Sequence, residues 1–82
     1  MGISMKVTVT VTISQSNKSL DIRVEQEQKI EDTFQVIQDN LQIFPMDIKQ
    51  IKSIRLYPYQ RRIPTNMSFM EAGIYTGAHL LV

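Results

Sequence analysis

The stretch MKVTVTVTIS, residues 5–14, constrains the fold of this chain more than any other. Met5, Val7, Val9, Val11 and Ile13 alternate with Lys6, Thr8, Thr10, Thr12 and Ser14. A side-chain period of two belongs to a β-strand, and the β-branched residues suit a pleated sheet. One face is apolar and the other polar, so the strand belongs to a sheet covered on one side. QSNKS follows as a polar turn cluster. LDIRVE then alternates again, with Leu20, Ile22 and Val24 inward and Asp21, Arg23 and Glu25 outward. Together the two runs predict a β-hairpin with a loop of about five residues.

The period then changes. In KIEDTFQVIQDNLQIFP the apolar residues Ile30, Phe34, Ile37 and Leu41 are spaced i, i+4, i+7 and i+11. On a helical wheel they fall within about 60° of one another. Glu31 and Asp32 lie in the first turn, where they suit the positive end of the helix dipole. Pro45 is expected to stop the helix. Such a short helix needs the sheet to be stable.

Further on, Ile54 and Leu56 alternate with Arg55 and Tyr57, and Pro58 closes that strand. A second short strand is expected around Arg62 and Ile63. TNMSFMEAGI reads as a loop with one helical turn, plugged into the core by Phe69 and Ile74. YTGA turns the chain and HLLV forms the last strand. A right-handed crossover places the strand after the helix parallel to its neighbour, and the threonine side of the first strand faces solvent. This order predicts an α+β fold, the ubiquitin-like β-grasp. The sheet is mixed, of four to five strands, with one helix packed across one face and a short helical turn before the last strand.

The bulk properties fit one small domain. The chain has 82 residues and no cysteine, a size that buries roughly 60–65% of the unfolded surface. A net charge of +1 is too weak to imply nucleic acid. No stretch approaches the ~20 apolar residues of a membrane span, and MGISMK lacks the apolar core of an export signal. Lys6 stands where a myristoylation motif needs Ser or Thr. The expectation is a cytoplasmic domain over residues 5–82, with residues 1–4 frayed or foreign to the natural chain.

KIEDTFQVIQDN resembles the helix of ubiquitin, and IRLYPYQRRIP resembles ubiquitin's third strand, its turn and its short fourth strand. MSFMEAGIYTGAHLLV is similar to the closing segment of the same family. The resemblance runs from Met5 to Val82. Within the superfamily it is nearest to the small bacterial ubiquitin-like proteins of the YukD/EsaB type, which accompany type VII (WXG100) secretion machinery in Gram-positive bacteria. Gly77, Leu80 and Val82 occupy places comparable to that group's closing motif, whereas Ala78 replaces its acidic residue. The resemblance implies a non-catalytic protein-interaction module in the bacterial cytoplasm. Its partner would be a secretion component or a regulator, and it would need no cofactor.

Ubiquitin and the β-grasp sulfur carriers work through a flexible tail ending in Gly-Gly, where glycine lets the backbone thread into an activating enzyme. Here Leu80, Leu81 and Val82 stand at the end. Alternation turns Leu80 and Val82 inward, so the expectation is a terminus pinned to the sheet and neither conjugation nor sulfur transfer.

The inventory also speaks against an enzyme. There is one histidine, His79, which as an exposed or edge residue needs no function. No Gly-rich phosphate loop and no cluster with metal-ligand spacing is present. Charge is uneven along the chain. Seven acids and two bases lie between Asp21 and Asp47, and five bases (Lys49, Lys52, Arg55, Arg61, Arg62) with no acid lie between Ile48 and Met70. Such asymmetry can orient a partner, although two solvated faces of an ordinary domain give the same pattern. Tyr and Arg are enriched at interface hot spots. The candidate contact residues are therefore Arg55, Tyr57, Tyr59, Arg61, Arg62 and Leu81. The position matching Tyr57 in ubiquitin carries an apolar residue of its partner-binding patch. The alternative is a small polyanion- or RNA-binding domain using the basic 49–62 segment, with Tyr57 and Tyr59 as stacking platforms; near-zero net charge argues against it.

Overall fold

The computed structural model describes residues 5–58 and 61–82. The chain forms β1 (Lys6–Ile13), β2 (Lys18–Glu25), α1 (Ile30–Leu41), a 3-10 turn (Ile48–Gln50), β3 (Ser53–Tyr57), β4 (Arg61–Pro64) and β5 (His79–Leu81). The strands make one five-stranded sheet in the order β2-β1-β5-β3-β4. β5 runs parallel to β1 and antiparallel to β3, so the sheet is mixed. The helix follows the hairpin and covers one face, the arrangement the sequence order predicts.

The alternation of β1 places Val7, Val9, Val11 and Ile13 in the core. Val11 pairs with Leu20 on one side and Leu80 on the other, so one apolar row crosses three strands. Ile54 pairs with Ile63, and both are buried. From α1 the sheet receives Ile30, Phe34 and Ile37, with Thr33 also buried. Phe69 and Ile74 are fully out of solvent, as their expected role as plugs requires. Burying each such side chain is worth ~1.5–3 kcal/mol.

Five expectations are corrected. β3, the strand after the helix, runs antiparallel to both its neighbours, β5 and β4; the parallel pair is β1–β5, because β5 enters the sheet between β1 and β3. Met5 precedes β1 and is 62% exposed, because the ladder ends at the Lys6–Glu25 pair. β2 starts at Lys18, so Lys18 and Ser19 belong to the strand and the hairpin loop is shorter than expected. Asn17 carries the positive φ of 54° that this tighter turn needs. Pro45 does not stop the helix: Gln42 does so first, in a left-handed conformation, its N–H bonded to the Gln38 carbonyl at 3.0 Å. Leu41 is 57% exposed rather than core.

The reversal at Gln42 brings in Phe44, whose ring lies 5.2 Å from that of Phe34. The Gln38 side chain fixes it there. Its Oε1 accepts from the Phe44 N–H at 2.9 Å, and its Nε2 donates to the Phe44 carbonyl at 3.1 Å. Ile48 and Ile51, around the 3-10 turn, are buried too.

The helix N-terminus has no side-chain cap. Its free N–H groups go instead to the loop before β5: Ile30 donates to the Met67 carbonyl at 3.0 Å and Glu31 to the Thr65 carbonyl at 2.9 Å. Helix ends need such partners. The expected helical turn follows directly, with the Ala72 N–H bonded to the Ser68 carbonyl at 3.0 Å. Ser68 and Glu71 exchange reciprocal bonds at its start, each 3.0 Å long, in the manner of a capping box. The Ser68 backbone N–H is the main reason the exposed Glu71 carboxyl titrates below its ordinary range. The Arg61 guanidinium donates to the Ala72 carbonyl and ties β4 to this turn.

Exposure separates the four residues of the expected apolar stripe, Ile30, Phe34, Ile37 and Leu41. Phe34→Ala should cost ~3–5 kcal/mol in urea unfolding, and Leu41→Ala no more than ~0.5 kcal/mol. Equal losses would return Leu41 to the core.

Candidate interaction face

With Leu80 turned into the core, its neighbours on β5 project from the opposite, uncovered face. Strand register assembles that face into rows. One row runs Asp21, Thr10, His79, Tyr57 from β2 to β3. The next runs Ser19, Thr12, Leu81, Arg55, Arg62 from β2 to β4. The β1 side is hydroxyl-rich, and the β3–β5 side carries the aromatic, imidazole, aliphatic and guanidinium groups.

His79 is the hinge between them. It is half-buried and lies on the middle strand of the sheet, so the expectation of an exposed or edge residue is corrected. Its Nε2 lies 2.6 Å from Thr12 Oγ1, which in turn lies 2.8 Å from Ser19 Oγ. Thr12 has one proton to give. If Nε2 accepts it, Ser19 donates to Thr12; if Nε2 donates, Thr12 is free to pass its proton to Ser19. On its other side the imidazole meets the Tyr57 ring, centroids 5.5 Å apart and planes tilted by 55°. The imidazole is thus clamped between a hydroxyl and an aromatic ring.

Tyr57 is 56% exposed beside it, Leu81 is half-buried, and Arg55 and Arg62 are exposed. These four candidates are brought to one face. Arg61 is not: it pairs opposite Leu56, on the other side of the sheet, and its guanidinium is spent on Ala72. Tyr59 lies outside the described residues. His79 and Ser19 were missed as members of this face. Strand alternation from Leu80 already turns His79 outward, but only the parallel β1–β5 register reveals that Thr12 meets it.

The charge reading changes as well. Lys49 and Lys52 line a groove with Glu31, Asp32 and Gln35 of the helix. They therefore belong to the helix side, and the five bases of the 48–70 segment do not form one patch. Asp21 on the open face is engaged by the Thr10 hydroxyl at 2.6 Å. Among the described residues, no group of three His, Cys, Asp or Glu side chains is placed to hold a metal ion, and no helix is long and apolar enough to cross a membrane.

A scan of protein-family models and a search of curated proteins return no match to this sequence. Solved structures do match. The C-terminal ubiquitin-like domain of mouse tubulin-specific chaperone e superposes with a TM-score of 0.70 at 13% identity, over 100% of this chain and 89% of that one. The fold is ubiquitin-like. The ubiquitin-like domain of yeast Ddi1 gives a TM-score of 0.66 at 17% identity, covering 99% of this chain and 91% of its own. That of Plasmodium falciparum Dsk2 gives 0.62 at 15% identity, with 94% and 97% covered. At these identities the likeness concerns the ubiquitin-like fold alone.

The Thr12–His79 bond has a direct check. Thr12→Val keeps the side-chain shape and removes the Nε2 partner, so the His79 imidazole nitrogen-15 resonances should shift while the backbone spectrum away from the site is preserved. Unchanged imidazole signals would show that Thr12 does not hold the ring.

Proposed function

We propose that this ubiquitin-like domain is a non-catalytic protein-interaction module whose partner docks on the open face at Tyr57, His79 and Leu81. The observation that carries this reading is the clamped imidazole with its exposed tyrosine and neighbouring leucine, rimmed by Arg55 and Arg62. A rigid aromatic and aliphatic centre with a charged rim is how binding energy is concentrated in protein interfaces. Among the described residues His79 meets the Thr12 hydroxyl and the Tyr57 ring, with no carboxylate bonded to the imidazole to orient it as a base, an arrangement suited to recognition. The ubiquitin-like domains it superposes on are compatible with such a role.

The resemblance of residues 5–82 to the YukD/EsaB-type proteins supports the narrower reading: an accessory or regulatory component of a bacterial type VII secretion system, acting in the cytoplasm on a secretion component or regulator. Affinity purification of the full chain from a Gram-positive host with that machinery tests both levels. A specific protein should be retained by the wild type and by Val36→Asp on the helix face, and lost with Tyr57→Ala or Leu81→Ser. If that protein belongs to the secretion system, the narrower reading stands. Retention unaffected by the open-face variants, or recovery of no protein, would contradict the docking face itself.

A further inference from the structure

Arg55 and Arg62 stand directly opposite each other across β3 and β4 on the open face. Like charges in opposed strand positions destabilise a sheet. Among the described residues, no acidic side chain of that face stands beside them. The acids of that face, Asp21 and Glu25, sit on β2, three strands away from β3. At ~4.8 Å per strand that is roughly 14 Å, beyond the ~8–10 Å over which charges in physiological salt feel one another. Between the two guanidiniums and the end of β5 lies a shallow depression of about 320 Å³, lined by Ser53, Ile54, Arg55, Arg62, Leu81 and Val82. It shares Leu81 with the docking face.

We infer that this corner binds a carboxylate of the docking partner, so that the partner is a protein presenting an acidic residue next to an apolar one. The inference rests on the open-face docking reading above and names the chemistry it selects. Two guanidinium forks can hold one carboxylate through charge-assisted bonds, and the bound anion relieves the repulsion between them. Leu81 and Val82 line the same depression and take the neighbouring apolar side chain. A nucleic-acid strand fits this face less well. Such a strand tracks a basic groove over several nucleotides, whereas here Lys49 and Lys52 lie on the helix side. Across the sheet the strand would meet Asp21 and Glu25 interspersed with Lys6 and Arg23, a face of mixed sign rather than a continuous basic track.

Selection of random displayed peptides on the immobilised 82-residue chain provides the probe, with affinities of the selected peptides then measured against variants. The selected peptides should be enriched in Asp or Glu beside apolar residues. They should bind about tenfold more weakly to Arg55→Gln or Arg62→Gln, the scale of one hydrogen bond to a charged group, and weaken with added salt. Both single variants should melt no lower than the wild type, since each removes a like-charge contact. Neutral peptides that lose binding with Tyr57→Ala but ignore both arginine variants would overturn the acidic-partner inference and leave the docking face standing. Peptides indifferent to all these positions, or no selected peptide, would overturn both. A short oligouridine RNA that binds more tightly than the peptides and needs both arginines would assign the corner to nucleic acid instead.

Discussion

Between residues 77 and 82 the chain is stitched to β1 by backbone hydrogen bonds. Gly77 donates to the Thr8 carbonyl at 2.9 Å, the Ala78 carbonyl accepts from Thr10 at 2.9 Å, Val82 donates to Thr12 at 2.9 Å, and Ser14 donates to Val82 at 3.1 Å. This pairing joins the N-terminal hairpin to the β3–β4 half of the sheet, because β5 lies between them. β5 is only three residues long, so few bonds hold the two halves in register. Leu80 beneath it is fully buried, and burial is what makes slippage costly. A shift by one residue would send Leu80 to solvent and bring His79 or Leu81 inside.

The same pairing makes the candidate site. Thr12 comes from β1, His79 and Leu81 from β5, Tyr57 and Arg55 from β3, and Arg62 from β4. No two of these strands in sequence order would assemble the face by themselves. The packing beneath and the candidate face above therefore depend on one register, with the helix holding the underside. The helix is held in turn by the loop before β5, whose carbonyls take its N-terminal N–H groups. Segment 65–82 thus anchors the helix at one end and completes the sheet at the other.

Much of this was legible in the residues. The period of two in β1 and β2 and the change of period at Ile30 fixed the element types, and the inward Val, Ile and Phe positions of both follow from them. Leu41 and Met5 escaped because periodicity says which side of an element a residue faces and not where the covering layer ends. Phe44, Ile48 and Ile51 lie in a connection without period, so their burial depends on the reversal at Gln42 and on the Gln38 amide that holds Phe44. The site was half visible. Arg55, Tyr57, Arg62 and Leu81 follow from alternation alone. Alternation from Arg62 likewise puts Arg61 on the other side of the sheet, where its contact with Ala72 is tertiary and unreadable from the sequence; that His79 meets Thr12 depends on a terminal segment being the middle strand in space.

Native-state hydrogen exchange across the β1–β5 pairing tests the central claim most directly. If this register holds the domain together, the Thr10 and Val82 amides should exchange only through global unfolding, with the same free energy as the best-protected amides of β1 and β2. Exchange of Thr10 and Val82 through a small local opening, while the hairpin amides stay protected, would show β5 to be a loose appendage. The shared register beneath the core and the face would then be contradicted.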